Sequence, residues 1–163
     1  MTVNLPPRSG QARPVLPVPL GPLPQAEFEA IFTRVPRLTV EVVIVSADGV
    51  LLSQRQSPPC QGLWHIPGGT VRFGELLTDA VRRVAAQELG LEVEAGKFLG
   101  YIEYPSHLQS SWDWPVGMAF EALPAASSSW SFEPTPALRW FSRLPAEMHE
   151  EQRDFLSVHK LTA

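Results

Sequence analysis

From Thr39 to Val45 the chain is almost continuously apolar and β-branched, interrupted by the single carboxylate of Glu41. Such a run predicts a strand. Asp48-Gly49 supplies a turn and Val50 to Arg55 a return strand, so the pattern predicts a hairpin. Leu63 to Ile66 is a short strand entering a Pro-Gly-Gly turn. Between Gly74 and Leu89 the period changes. Leu76, Leu77, Ala80, Val81, Val84, Ala85 and Leu89 fall on one face of a helix, and Gly90 stands where a glycine ends one. "QAEFEAIFTRV" repeats that spacing at Phe28, Ile31, Phe32 and Val35, with Pro36 as its stop. "KFLGYIEY" and "WPVGMAFEAL" read as strands separated by the polar loop "PSHLQSSWD". "ALRWFS" is a short strand after the loop "AASSSWSFEPTP", and "PAEMHEEQRDFLSVHKL" is a closing helix with Pro145 at its start. The order of elements predicts a mixed α/β layer architecture.

Composition adds boundaries. Seven of the 17 prolines fall between Pro6 and Pro24, so residues 1–24 are expected to form an extended N-terminal arm and residues 25–163 one domain. The formal net charge of −4 argues against a nucleic-acid partner. The single Cys60 excludes an intramolecular disulfide and any multi-cysteine metal site. No apolar run approaches the roughly 20 residues needed to span a bilayer, so a cytoplasmic protein without a membrane partner is expected.

The chemistry is concentrated in one spacing: Gly69-x5-Glu75-x7-Arg83-x4-Glu88-x-Gly90-Leu91. With the lead-in "GLWHIPGG", this stretch resembles the box of the Nudix hydrolases, G-x5-E-x7-R-E-U-x-E-E-x-G-U, where U is aliphatic. The resemblance implies a Nudix fold, a mixed β-sheet sandwiched between helices. It also implies a Mg²⁺-dependent hydrolase, with Mn²⁺ as the substitute ion, acting on a small-molecule nucleoside diphosphate derivative. Two box carboxylates are replaced, by Val84 and Gln87. A valine cannot hold a metal water or act as a base, and Gln87 offers only a neutral oxygen.

"RVAAQELG" is similar to the degenerate box of the GDP-mannose mannosyl hydrolases, and "FEAIFTRVPRLTVEVVIV" and "LLSQRQSPPCQGLWHIPGG" extend the similarity outside it. That subfamily cleaves the sugar C–O bond. The resemblance implies Gly68 (through its carbonyl), Glu88 and Glu75 as metal ligands or their support. Arg55 would stabilise the leaving diphosphate, Arg83 would orient a box glutamate, and Glu41 stands where the subfamily has a functional Asp. It also implies a homodimer. Pro134 and Thr135 occupy the positions of the subfamily's Gln-His pair, so any general base must come from elsewhere. Glu133, Asp113, His107 and His149 are candidates. Trp112 and Trp114 are candidate stacking surfaces for a base or sugar. Each has an ordinary structural alternative: Glu75 favours a helix start, Arg83 can pair with Asp79 one turn away, and His149 can be a surface residue. Three functions remain open: a glycosyl-type hydrolase, a diphosphatase cutting P–O bonds, and a nucleotide-binding module without catalysis.

Overall fold

A computed structural model describes residues 23–58, 60–110, 113–125 and 134–161. Thirteen elements alternate along the chain as α1 (Gln25–Phe32), β1 (Arg37–Val43), β2 (Val45–Ser46), β3 (Gly49–Gln54), β4 (Trp64–His65), β5 (Gly68–Thr70), α2 (Leu77–Val84), a one-turn π-helix (Ala85–Leu89), β6 (Val93–Glu103), α3 (His107–Ser110), β7 (Pro115–Pro124), β8 (Leu138–Phe141) and α4 (Glu150–Val158). This is the expected α+β class, built on two four-stranded sheets rather than one. The first sheet runs β5-β1-β7-β6, with β1 antiparallel to β5 and parallel to β7. The second centres on β3, flanked by β2, β4 and β8.

β1 has apolar side chains on both faces because both faces are covered. Val40, Val42 and Ile44 pack with Val81, Val84 and Ala85 of the α2 segment. Val43 packs with Ile102, Met148 and Leu156 on the side of α4. The period of two along a strand puts Glu41 on the α4 side with Val43.

Three sequence expectations need correction. The hairpin exists only at its tip, where β2 meets β3 (Val45↔Val50, Ser46↔Gly49). The body of β1 belongs to the other sheet, because its apolar faces are buried more completely against α2 and α4 than a two-stranded ribbon would allow. Gly49 is essential to that tip: its φ is +113°, and a Cβ there would meet the Phe141 carbonyl oxygen. The Pro-Gly-Gly stretch is a strand edge, since Gly68–Thr70 pair with β1. The closing helix begins at Glu150 rather than Pro145, because Trp64 recruits the preceding backbone: its N–H donates to the Glu147 carbonyl, and its own carbonyl accepts from the His149 N–H. The central helix is α-helical from Leu77 to Val84 and continues as a π turn to Leu89. Gly90, at φ +67°, ends it as expected.

Candidate active site

The fold separates the functional candidates onto opposite faces of the β1–β5 ladder. On the α2 face the box residues make a structural clamp. Arg83 grips Glu75 with a bidentate pair, Nε to Oε1 at 2.6 Å and Nη2 to Oε2 at 2.8 Å. Arg83 also donates to the Thr70 carbonyl at 2.9 Å and to Gln87 Oε1 at 3.2 Å. Glu75 accepts the Arg72 N–H at 2.9 Å as well. The Arg83 hydrogen bonds hold the Glu75 carboxyl below its ordinary pKa, against a smaller opposing effect of burial. Arg83 pairs across the loop with Glu75, while Asp79 pairs with Arg82. Val84, in place of a box carboxylate, is a core side chain: a Cβ on Gly69 would lie 2.9 Å from Val84 Cγ2. Glu88, one helical turn on, is exposed.

On the α4 face a small cleft opens, lined by Arg37, Glu41, Arg55, Gly68, His107 and His149 among others. Glu41 is its buried acid. Its register partners are Gly68 on β5 and Ala119 on β7. Glycine makes room on both flanks: a Cβ at Gly68 would collide with Glu41 Oε2, and one at Gly117 would meet Glu41 Oε1 at 2.7 Å. Thr39 Oγ1 donates to Glu41 Oε1 at 2.9 Å, and Gln152 Nε2 donates to Oε2 at 3.3 Å. The orientation of the Gln152 amide follows from its other partners. Its oxygen accepts the Ile66 N–H at 2.7 Å, and its NH₂ also reaches the Tyr104 hydroxyl at 2.9 Å. Burial pushes the Glu41 carboxyl up from 4.5 to about 7, although Thr39, Tyr104, Arg37 and Arg55 all act in the opposite direction. The charged form is disfavoured because it has left water. A buried acid titrating near neutrality in a cleft is suited to proton transfer.

The walls are basic. Arg37 Nε pairs with Asp113 at 2.6 Å and its Nη1 donates to Thr70 Oγ1 at 3.0 Å. Arg55 donates to the Ser57 carbonyl at 3.2 Å and lies within electrostatic reach of Glu41, His65 and His149. His65 is driven down to about 4 by burial. Its ring is satisfied by the Ile66 carbonyl at 2.9 Å and Ser53 Oγ at 3.2 Å, as expected of a strand residue. His149 is lowered from the ordinary histidine value by burial, in opposition to the Glu151 carboxylate beside it. Burial pushes Glu151 up, but hydrogen bonds from Ser106 and the neighbouring imidazole outweigh it, so its carboxyl stays below the usual range.

The structure therefore brings together Glu41, Arg55, Gly68, His107 and His149, with Asp113 buried behind His107. Glu75, Arg83 and Glu88 are not among the residues that line this cleft. Trp114 is half-buried just before the cleft-lining Pro115, and its carbonyl accepts the Arg37 N–H at 2.8 Å. Thr135 is in an exposed turn ahead of β8. Trp112 and Glu133 lie outside the described residues. Sequence reasoning missed Arg37, Thr39, Cys60, Tyr104 and Gln152. The Thr39-x-Glu41 spacing, two polar side chains on one face of an apolar strand, was the available signal. Gln152 offered none.

Among the described residues no helix is long and apolar enough to cross a membrane. The chain is 45% identical over 86 residues to the low-salt glycan biosynthesis protein Agl8 of Haloferax volcanii, 53% of this chain and 55% of that protein. It is 45% identical over 58 residues to a putative 8-oxo-dGTP diphosphatase 2 of Mycobacterium tuberculosis, 35% of this chain and 41% of that one. The chain thus spans about half the length of these relatives. The crystal structure of a MutT Nudix hydrolase from Burkholderia pseudomallei is similar at a TM-score of 0.63 and 27% identity, covering 76% of this chain and 97% of that one. The Nudix domain of Shewanella oneidensis NrtR, complexed with ADP-ribose, shares the fold at a TM-score of 0.55 and 22% identity, covering 86% of this chain and 100% of that one. The NUDIX domain family model matches residues 35–157, well over half of the sequence, and the chain belongs to the Nudix family.

Proposed function

We propose that this chain hydrolyses a nucleoside diphosphate derivative, with a nucleotide sugar of the GDP-mannose type as substrate and its glycosidic C–O bond as the bond cleaved. The observation that carries this reading is the buried Glu41 carboxyl, poised near pH 7 in a cleft with two arginines. The α2 face has lost the carboxylate that Val84 replaces, so a base has to stand elsewhere, and Glu41 is placed to serve. The name of the Haloferax relative, a glycan biosynthesis protein, favours a sugar-bearing substrate.

In this mechanism the ionised Glu41 takes a proton from the attacking water. The water oxygen bonds to the anomeric carbon, the glycosidic C–O bond breaks, and the electron pair leaves with the diphosphate. Arg55 faces the developing charge, and Arg37 adds to the positive wall while Asp113 holds its guanidinium. Tyr104 and Gln152 fix the rotamer of Glu41. The residues the resemblance implies for the family's divalent ion do not fit one site at this cleft: Gly68 lines it, but neither Glu88 nor Glu75 does, and both oxygens of Glu75 are gripped by Arg83. The same reading expects a homodimer, which light scattering checks.

A diphosphatase cutting P–O bonds is the second reading, favoured by the diphosphatase and pyrophosphatase names of several relatives. A binding module without catalysis is the third, favoured by Val84 and Gln87. One experiment separates them. The protein is incubated with Mg²⁺ or Mn²⁺ and a panel of nucleotide sugars in oxygen-18-labelled water, and the products are resolved by ion exchange. Nucleoside diphosphate with labelled free sugar, lost in Glu41→Gln, is the expected result. Nucleoside monophosphate with sugar phosphate would establish the diphosphatase, and bound nucleotide without turnover the binding module.

A further inference from the structure

We infer that Cys60, His107 and His149 form a binding site for a zinc-class transition metal on the wall of the cleft, distinct from the Mg²⁺ donors of the box. The two imidazoles face each other, Nε2 to Nε2, at 3.3 Å. Cys60 Sγ lies 3.8 Å from His149 Nε2, and the three candidate ligand atoms all lie within 4.8 Å of one another. A tetrahedral ion with Zn–N near 2.05 Å and Zn–S near 2.3 Å sets its ligand edges at about 3.3 Å for N···N and about 3.6 Å for N···S. The observed edge between the two histidines is already that of a shared metal. The third edge, at most 4.8 Å, has to close by no more than about 1.2 Å, a movement within the reach of one χ1 adjustment.

The hydrogen bonds outside the cluster supply the second argument. His149 Nδ1 is 2.9 Å from Glu151 Oε2, and His107 Nδ1 is 3.3 Å from Asp113 Oδ1. Ionised carboxylates only accept, so each Nδ1 carries the hydrogen and donates it. That leaves the two Nε2 atoms facing each other 3.3 Å apart, a spacing closed either by one shared proton or by a bound cation. Carboxylate-backed imidazoles with their free nitrogens converging are the outer-shell arrangement of metal-bound histidines.

The third argument is the backbone at Cys60. Its φ is +63°, a left-handed conformation that a non-glycine residue adopts at some cost in energy. In it the chain's single cysteine has its Sγ beside His149 Nε2. Tyr104 packs on both imidazoles, with ring centroids 5.5 Å and 5.2 Å away, and screens one side of the cluster from water. One thiolate and two imidazoles select zinc, cobalt or copper over magnesium. All three residues line the cleft beside Glu41. Three protein ligands and a fourth position open to a cleft is the coordination of reactive rather than purely structural zinc, with water or a substrate oxygen in the fourth place. Binding would release the Cys60 thiol proton to solvent. The inference stands independently of which bond the enzyme cleaves.

Cobalt substitution tests it without an activity assay. The full chain is stripped with chelator and titrated with Co²⁺, and absorption is read for a thiolate-to-cobalt charge-transfer band and intense tetrahedral d–d bands. One Co²⁺ per chain, displaced by equimolar Zn²⁺, is the expected result. With one cysteine in the chain, any thiolate band reports on Cys60. Cys60→Ser should abolish that band, and His107→Ala and His149→Ala should collapse both signals. Glu151→Gln, which removes an outer-shell acceptor, should weaken Zn²⁺ binding by about 10- to 100-fold. Glu88→Gln should leave both bands at full amplitude. Circular dichroism of each metal-free variant separates loss of a ligand from loss of the fold. No charge-transfer band at stoichiometric Co²⁺ would overturn the inference and leave a shared proton between the two imidazoles. A band unchanged in folded His107→Ala and His149→Ala would overturn it equally.

Discussion

The two faces of the β1–β5 ladder carry opposite kinds of information. On the α2 face the family motif persists in part, with Val84 and Gln87 in place of two carboxylates, and its remaining residues make structural contacts. Arg83 and Glu75 tie the glycine strand to the helix, and Val84 fills the space over Gly69. On the α4 face no motif exists, yet that is where a buried acid, two arginines and a Cys-His-His cluster converge. If Glu41 is the base, as proposed, the box in this chain marks the scaffold and the chemistry lies on the other face.

The largest effect that tests this contrast is on rate. Glu41→Gln removes the proposed base while nearly preserving its shape, and kcat should fall by about 10²- to 10⁴-fold. In the unmutated protein, kcat/KM should rise with pH through about 7 as Glu41 ionises. If Glu88→Gln abolishes turnover while Glu41→Gln leaves it intact, the chemistry lies on the box face after all.

Restoring the motif is the next test. Val84 is 2% exposed within the core cluster. Val84→Glu rebuilds the family pattern but buries a carboxylate among Val40, Val81 and Ala85, and should destabilise the fold by about 3 kcal/mol or more in thermal denaturation. Mg²⁺ affinity should not improve, as calorimetry would show. A stable variant with tighter Mg²⁺ binding would mean that the space over Gly69 is a metal site merely lacking its ligand.

The pH dependence of stability isolates the other face. Glu41 titrates near 4.5 unfolded and about 7 folded, so the unfolded chain loses its proton first. The contribution of protonated Glu41 is present in full below about pH 4.5 and drains as pH rises through about 7. The loss amounts to roughly 3 kcal/mol. Glu41→Gln should flatten this slope between pH 5 and 8 in urea titrations. An equal slope in both proteins would show that Glu41 is not held in low dielectric.

How much of this was legible in the sequence follows the same division. The box spacing, the amphipathic run and the terminating Gly90 are local signals, and they located α2 and the fold. The hairpin misled because β1 is apolar on both faces, and a continuous run does not reveal which sheet it joins. Glu41 was visible as the odd charge in that run. Its burial was not, because that depends on Gly68, Gly117 and Gln152, which lie 27, 76 and 111 residues away along the chain. Cys60, His107 and His149 were separate residues of unremarkable context until the fold brought a loop and the starts of two helices together. Proximity of that kind is a property of the tertiary fold, which no single-sequence period encodes.

The smallest expected effect concerns what the box now does. If Arg83 is an architectural clamp, its value lies in the planar fork that meets both oxygens of Glu75 and the Thr70 carbonyl together. Arg83→Lys keeps the charge but provides one ammonium for three acceptors, so the fork is lost. The pair is largely shielded, with side chains 19% and 14% exposed, and stability should fall by about 1–2 kcal/mol. The loss should depend weakly on salt, since geometry rather than long-range charge is removed. Turnover per folded molecule should hold within a few-fold, because no part of the clamp lines the cleft with Glu41. A collapse of kcat in Arg83→Lys, with the melting temperature unchanged, would return Arg83 to the reaction and remove the distinction between the two faces.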